Sequence, residues 1–115
     1  LSTSTYAVDQ DTHDYFNDVT NEVVGTGYTA GGVALATDTI TYTAGTNVWK
    51  YDADDSSWTT ATITARFAVV YDSTPATAAT QPLICYQNFG ADVVSTAGTF
   101  LITWNASGIF TITAS

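Results

Sequence analysis

The run from Ile63 to Asp72 constrains the fold more than any other part of the chain. Ile63, Ala65, Phe67, Val69 and Tyr71 alternate with Thr64, Arg66, Ala68 and Val70. A period of two puts the first set on one face of a β-strand and the second set on the other, whereas a helix would scatter both around its surface. Thr99 to Trp104 repeats the pattern, with Phe100, Ile102 and Trp104 facing together. Pro82 to Phe89 is nearly continuous apolar chain, as expected of a strand at a sheet centre.

Turn-forming residues divide the rest into short extended pieces. Thr3 to Val8 reads as the end of a strand and Glu22 to Val24 as a brief one. Val33 to Thr43 alternates, with Val33 and Leu35 on one face, Ile40 and Tyr42 on the other, and a bend near Asp38. Ala44-Gly45-Thr46-Asn47 is a hairpin turn into Val48 to Tyr51, whose Trp49 and Tyr51 share a side. Asp52 to Ser57, Ser73 to Gln81 around Pro75, Gly90 to Gly98 and Asn105 to Gly108 read as turns or loops, and Ile109 to Thr113 as a final strand. Only Asp9 to Val19 differs. It is acid-rich, and Asp11 or Thr12 can cap a short helical turn carrying Tyr15, Phe16 and Val19. The expected fold is all-β: an antiparallel β-sandwich, jelly-roll or Ig-like, of about seven or eight strands with one short helical turn near the N-terminus. Residues 1–115 make a single domain.

Composition narrows the partners. Hydrophobic residues are 45% of the 115, enough for a core, but charged residues are only 11%, against about 25% in an ordinary soluble domain. Threonine, about a fifth of the chain, takes the place of charge. It favours strands and leaves a neutral polar surface suited to packing in a crowded assembly. Eleven acids against Lys50 and Arg66 give a net charge of -9. Such a chain cannot exchange cations for nucleic-acid phosphates, and an anionic membrane repels it. A basic partner or a divalent cation remains compatible with it. No stretch approaches the ~20 apolar residues of a membrane helix.

Few side chains suggest chemistry. Cys85 is the only cysteine, so no internal disulfide forms, and its apolar strand marks it as a small buried hydrophobe rather than a thiolate paired with His13. His13 has no ligand neighbour at metal-binding spacing. Asp9, Asp11 and Asp14, and Asp52, Asp54 and Asp55, are the two acid clusters that could hold Ca²⁺; the competing reading is turns whose carboxylates cap backbone N–H groups. Gly25 to Gly32 loosely resembles a phosphate loop but lacks a Lys-Ser or Lys-Thr pair and a following helix, so it reads as a glycine turn carrying Tyr28. Arg66, mid-strand, calls for an acidic partner, with Asp72 or an N-terminal acid as candidates. Asn105-Ala106-Ser107 matches a glycosylation sequon. No catalytic residue, cofactor site or metal site is assigned, and the chain is not expected to be an enzyme.

Several segments in order carry a resemblance: Gln10-Asp11-Thr12-His13-Asp14-Tyr15-Phe16, Glu22 to Val33, Ile63 to Tyr71, Pro82-Leu83-Ile84, Phe89-Gly90, Gly98 to Trp104 and Gly108-Ile109-Phe110. Together they resemble a family of small virion structural proteins of tailed bacteriophages, which includes head decoration (cement) proteins. The resemblance spans nearly the whole chain. It implies a capsid-surface location and a non-catalytic, adhesive role, with the major capsid protein and copies of the chain itself as partners in a homo-oligomer or symmetric array. Nucleic acid and membrane are not expected partners. It also implies an N-terminal stretch ahead of Leu1 that residues 1–115 lack. Family members often have Gly where this chain has Cys85. Aromatics dominate interfaces, which makes Tyr6, Tyr15, Phe16 and Tyr28 the candidate contacts. Two other readings are a tail, tail-tip or fibre component of the same virion, and a carbohydrate-binding module in which Trp49, Trp58 and Trp104 form a stacking platform.

Overall fold

The computed structural model describes residues 1–115 and contains five strands, β1 (Thr39–Thr43), β2 (Val48–Asp52), β3 (Ser56–Tyr71), β4 (Leu83–Ile102) and β5 (Phe110–Thr113). All pairings are antiparallel. β3 and β4 form a long hairpin, while β1, β2 and β5 form a second sheet with β2 in the middle. The chain is therefore all-β with antiparallel sheets, as expected, but it has five strands, two of them long, rather than seven or eight.

Three local causes account for the difference. Thr3 to Val8 and Glu22 to Val24 do not form strands; Ser2 makes isolated bridges to Glu22 and Phe67, and the rest of the segment is irregular. Thr37 sits at φ 54°, a left-handed conformation that delays β1 until Thr39. Gly90 to Gly98 is not a loop. It lies inside β4 and joins the two strands expected on either side. The turn formers there are absorbed as bulges, because β3 opposite is long enough to continue pairing. Opposite Arg66 alone, β4 inserts Phe89 to Asp92; further along, Thr96 and Ala97 face only Thr62.

These bulges reset which face of β3 is buried. Its inward residues are Ser56 and Trp58, then Ala61, Ile63 and Ala65, then Ala68 and Val70. Each break in the alternation coincides with a register shift. Ile63 and Ala65 point inward as expected, but Phe67, Val69 and Tyr71 do not continue their face. Phe67 and Tyr71 meet the N-terminal segment instead: Tyr6 packs edge-on against Phe67, and Phe16 stacks on Tyr71 with centroids 4.3 Å apart.

The helical turn is a single 3-10 turn at Phe16–Asp18. Its start is held by Asp18, whose Oδ2 accepts from the Asp14 and Tyr15 amides at 3.0 Å each, rather than by Asp11 or Thr12. A second 3-10 turn, Ala78–Thr80, lies in the β3–β4 connection.

The core is small. Val23, Trp58, Ala61, Ile63, Ala65, Ala68, Phe100 and Ile102 form one buried cluster, and only 13 of 115 residues are buried. The accessible surface is 6929 Å², against about 6,000 Å² for a compact protein of this mass. The radius of gyration is 15.0 Å, where about 13 Å is usual. The excess surface comes from the arrangement of the sheets. They do not stack tightly; a cleft of about 770 Å³ separates Ile40, Tyr51 and Phe110 of the small sheet from Trp58, Val70 and Ile102 of the hairpin.

Candidate interaction surface

The three-stranded sheet has two chemically distinct faces. The register pairs Ile40 with Tyr51 and Tyr51 with Phe110, and pairs Tyr42 with Trp49 and Trp49 with Ile112. Cross-strand partners share a face, and so do residues two apart along a strand. Ile40, Tyr42, Trp49, Tyr51, Phe110 and Ile112 therefore form one uninterrupted apolar face. Thr39, Thr41, Thr43, Val48, Lys50, Asp52, Thr111 and Thr113 lie on the other, which is polar apart from Val48. The only two charges in the sheet sit on that polar face and pair with each other, Lys50 Nζ to Asp52 Oδ2 at 3.0 Å. The Lys50 hydrogen bond holds the Asp52 carboxyl below the usual carboxylate range.

Part of the apolar face is open to water. Ile40 is 68% exposed, Ile112 60%, and Tyr42 and Trp49 47% each. Tyr42 and Trp49 lie against one another at 4.8 Å, and Tyr42 Oη donates to Asn47 Oδ1 at 2.8 Å, which fixes the pair at the hairpin turn. Scattered exposed apolar residues are ordinary; a contiguous set on one sheet face marks a contact surface. The alternation in Thr39–Thr43, Val48–Asp52 and Phe110–Thr113 carried this signal, but it becomes visible only once the three strands are seen to be neighbours.

Of the four aromatic residues expected at a contact, only Tyr15 is exposed, at 42%. Tyr6 is 4% exposed, stacks on His13 and places its Oη 3.0 Å from His13 Nδ1, so it is a core residue. Phe16 is half-covered by Tyr71. Tyr28 packs near Trp58 and donates to Glu22 Oε1 at 2.8 Å, while Glu22 Oε1 also accepts from the Gly31 amide. Burial first, and the Glu22 hydrogen bond second, push the Tyr28 phenol far above its ordinary range. The glycine loop thus seats Tyr28 against the hairpin. Gly25 and Gly27 lie directly on the β3 backbone, where Thr62 N donates to Thr26 O at 2.9 Å.

The remaining candidates are dispersed. No three His, Cys, Asp or Glu side chains come together. Asp9 accepts from Asp11 N and Thr12 Oγ1, Asp54 from Thr37 Oγ1, and Asp55 from Trp104 N. Cys85 is half-buried on β4 opposite Val70 rather than fully in the core, and burial raises its thiol pKa. Arg66 pairs with neither Asp72 nor an N-terminal acid; its Nε donates to Asp92 Oδ1 at 2.9 Å and its Nη1 to Gly90 O. Trp58 is buried and Trp104 half-buried, its Nε1 donating to Ser56 Oγ, so the three tryptophans do not make one exposed platform.

No family model, curated protein or solved structure matches the chain.

Proposed function

We propose that this chain is a structural component of a tailed-bacteriophage particle, a decoration (cement) protein that binds the outer capsid shell and stabilises it. The observation that carries this reading is the uncharged apolar sheet face, left open in a chain of net charge -9. A surface of this kind gains free energy by leaving water against another protein, at about 25 cal/mol per Å² of apolar area. The ordered segment resemblance points the same way. On this reading the two sheets are an open β-sandwich whose small sheet is covered in the particle. Binding over many symmetric copies multiplies a modest contact into high avidity.

The test is co-sedimentation of the purified chain with capsids of the particle. The native chain binds at saturating stoichiometry, and Trp49→Asp with Ile112→Asp abolishes binding while leaving the far-UV circular dichroism unchanged. Absence of native binding, or full binding by the double variant, contradicts the reading.

A further inference from the structure

The open edge of β1 differs from both edges of the β3–β4 hairpin, and β1 is the longer of the small sheet's two edge strands, with five residues against four in β5. The outer edge of β3 is covered by Ser2, whose carbonyl accepts from the Arg66 and Phe67 amides, and by the Thr26 bridge to Thr62. The outer edge of β4 is bent by its bulges and carries Asp92. β1 has neither protection. It is an edge strand with β2 on one side only, and all five of its residues are exposed. It contains no charge, no proline and no bulge, the devices that normally block edge-to-edge pairing.

Its sequence is also self-complementary. Thr39-Ile40-Thr41-Tyr42-Thr43 has the same polar–apolar order in both directions. Antiparallel pairing about Thr41 sets Ile40 opposite Tyr42 of the other copy and Thr39 opposite Thr43. Every apolar residue then stays on one face and every threonine on the other, so the register is specified by the pattern. The flanking Asp38 falls opposite Ala44. The two copies of Asp38 end up roughly 20 Å apart along the strands, beyond the screening length of about 8 Å at physiological salt. The two copies of Asp38 therefore add little repulsion to the pairing.

We propose that β1 pairs antiparallel with β1 of a second copy of this chain, about a two-fold axis through Thr41. This joins two three-stranded sheets into one continuous sheet with a doubled apolar face. The pairing is isologous and closes at a dimer. It goes beyond the virion assignment and does not depend on it. The ladder is short, well below a standard interface, so the dissociation constant is expected between about 10 μM and 1 mM.

Sedimentation equilibrium of the full chain up to ~1 mM tests the pairing, with two variants. Thr41→Glu faces Lys50 within its own sheet but another Glu across the two-fold, and is expected to weaken dimerisation at least tenfold. Thr41→Cys in a Cys85→Ser background is expected to give a disulfide-linked dimer on mild oxidation, whereas Thr39→Cys in that background, facing Thr43 of the partner, does not. A chain that stays monomeric at the highest concentration overturns the proposal. So does a dimer that Thr41→Glu leaves intact, equal cross-linking at Thr39 and Thr41, or open-ended oligomers in place of a dimer.

Discussion

Arg66 closes the widest bulge of the hairpin by donating through Nε to Asp92 Oδ1 at 2.9 Å. Its Nη1 donates to Gly90 O, so one guanidinium binds the inserted segment at two points, Gly90 and Asp92. Both side chains are partly exposed, which keeps the ion pair itself worth about 1 kcal/mol or less. The positional effect is larger in kind. The inserted residues turn the buried face of β3 from Ile63 and Ala65 to Ala68 and Val70. Arg66→Ala is expected to lower stability by ~1–2 kcal/mol and to speed amide hydrogen exchange at Phe89 to Asp92 before the rest of β4. Urea unfolding and exchange measured by NMR check both expectations.

This bulge also shows what the sequence conveyed. The β character, the Ala44–Asn47 hairpin turn and the pairing partners on either side of it were legible, because period-two alternation and turn residues are local signals. The face switch in β3 was not. Strict alternation through Arg66 looks like an unbroken strand, and the insertion that breaks the phase lies 23 residues later, at Phe89 to Asp92. The burial of Tyr6 was hidden for a similar reason. It sits in irregular chain with no periodicity, and its packing depends on Phe67 and His13 from elsewhere in the sequence. The contact face was half legible: the parity of Ile40, Tyr42, Trp49 and Tyr51 was readable, but the addition of Phe110 and Ile112 required the sheet order.

Trp58 and Trp49 are expected to respond oppositely to truncation. Trp58 is 8% exposed and packs edge-on against Phe100 with centroids 5.9 Å apart. Trp58→Ala is expected to cost about 3–5 kcal/mol, enough to unfold a domain with so small a core. Trp49, half open on the sheet face, is expected to cost under ~1 kcal/mol as Trp49→Ala while weakening capsid binding. Thermal melts of the two variants, with binding measured on the folded one, separate core from contact.

Close backbone approach makes Gly25 and Gly27 intolerant. A Cβ at Gly27 would stand 2.8 Å from Ala61 Cα, and the residue holds φ +78°. A Cβ at Gly25 would strike Thr62 O and approach Ile63 Cγ2. Gly27→Ala is expected to cost ~2 kcal/mol or more, and Gly25→Val to prevent accumulation of folded protein. Soluble yield and chemical denaturation test both. By contrast, Thr60 holds φ 54° at an exposed bulge. Thr60→Asn is expected to stabilise the chain by about 0.5–1 kcal/mol, since Asn tolerates the left-handed region better.

Alkaline pH is expected to unfold the chain cooperatively. The phenols of Tyr28, Tyr71, Tyr6 and Tyr51 are all raised, mainly by burial, with Glu22 adding to Tyr28 and Tyr71. In the unfolded chain tyrosine titrates near pH 10. A raised folded pKa stabilises the fold fully below that point, and the stabilisation falls as pH rises toward the folded values. Absorbance at 295 nm should show these tyrosines ionising together with loss of circular dichroism, and Tyr28→Phe should shift that transition. Free ionisation of all seven tyrosines with the fold intact would contradict this.

The most direct measurement is cryo-electron microscopy of gradient-purified tailed-phage particles from the lysate in which this chain is made, at side-chain resolution. Hundreds of copies are expected on the outer capsid shell, with Tyr42, Trp49 and Ile112 turned against the capsid protein and covered from water. Particles lacking the chain, copies confined to the tail, or shell-bound copies with that face left in solvent would contradict it.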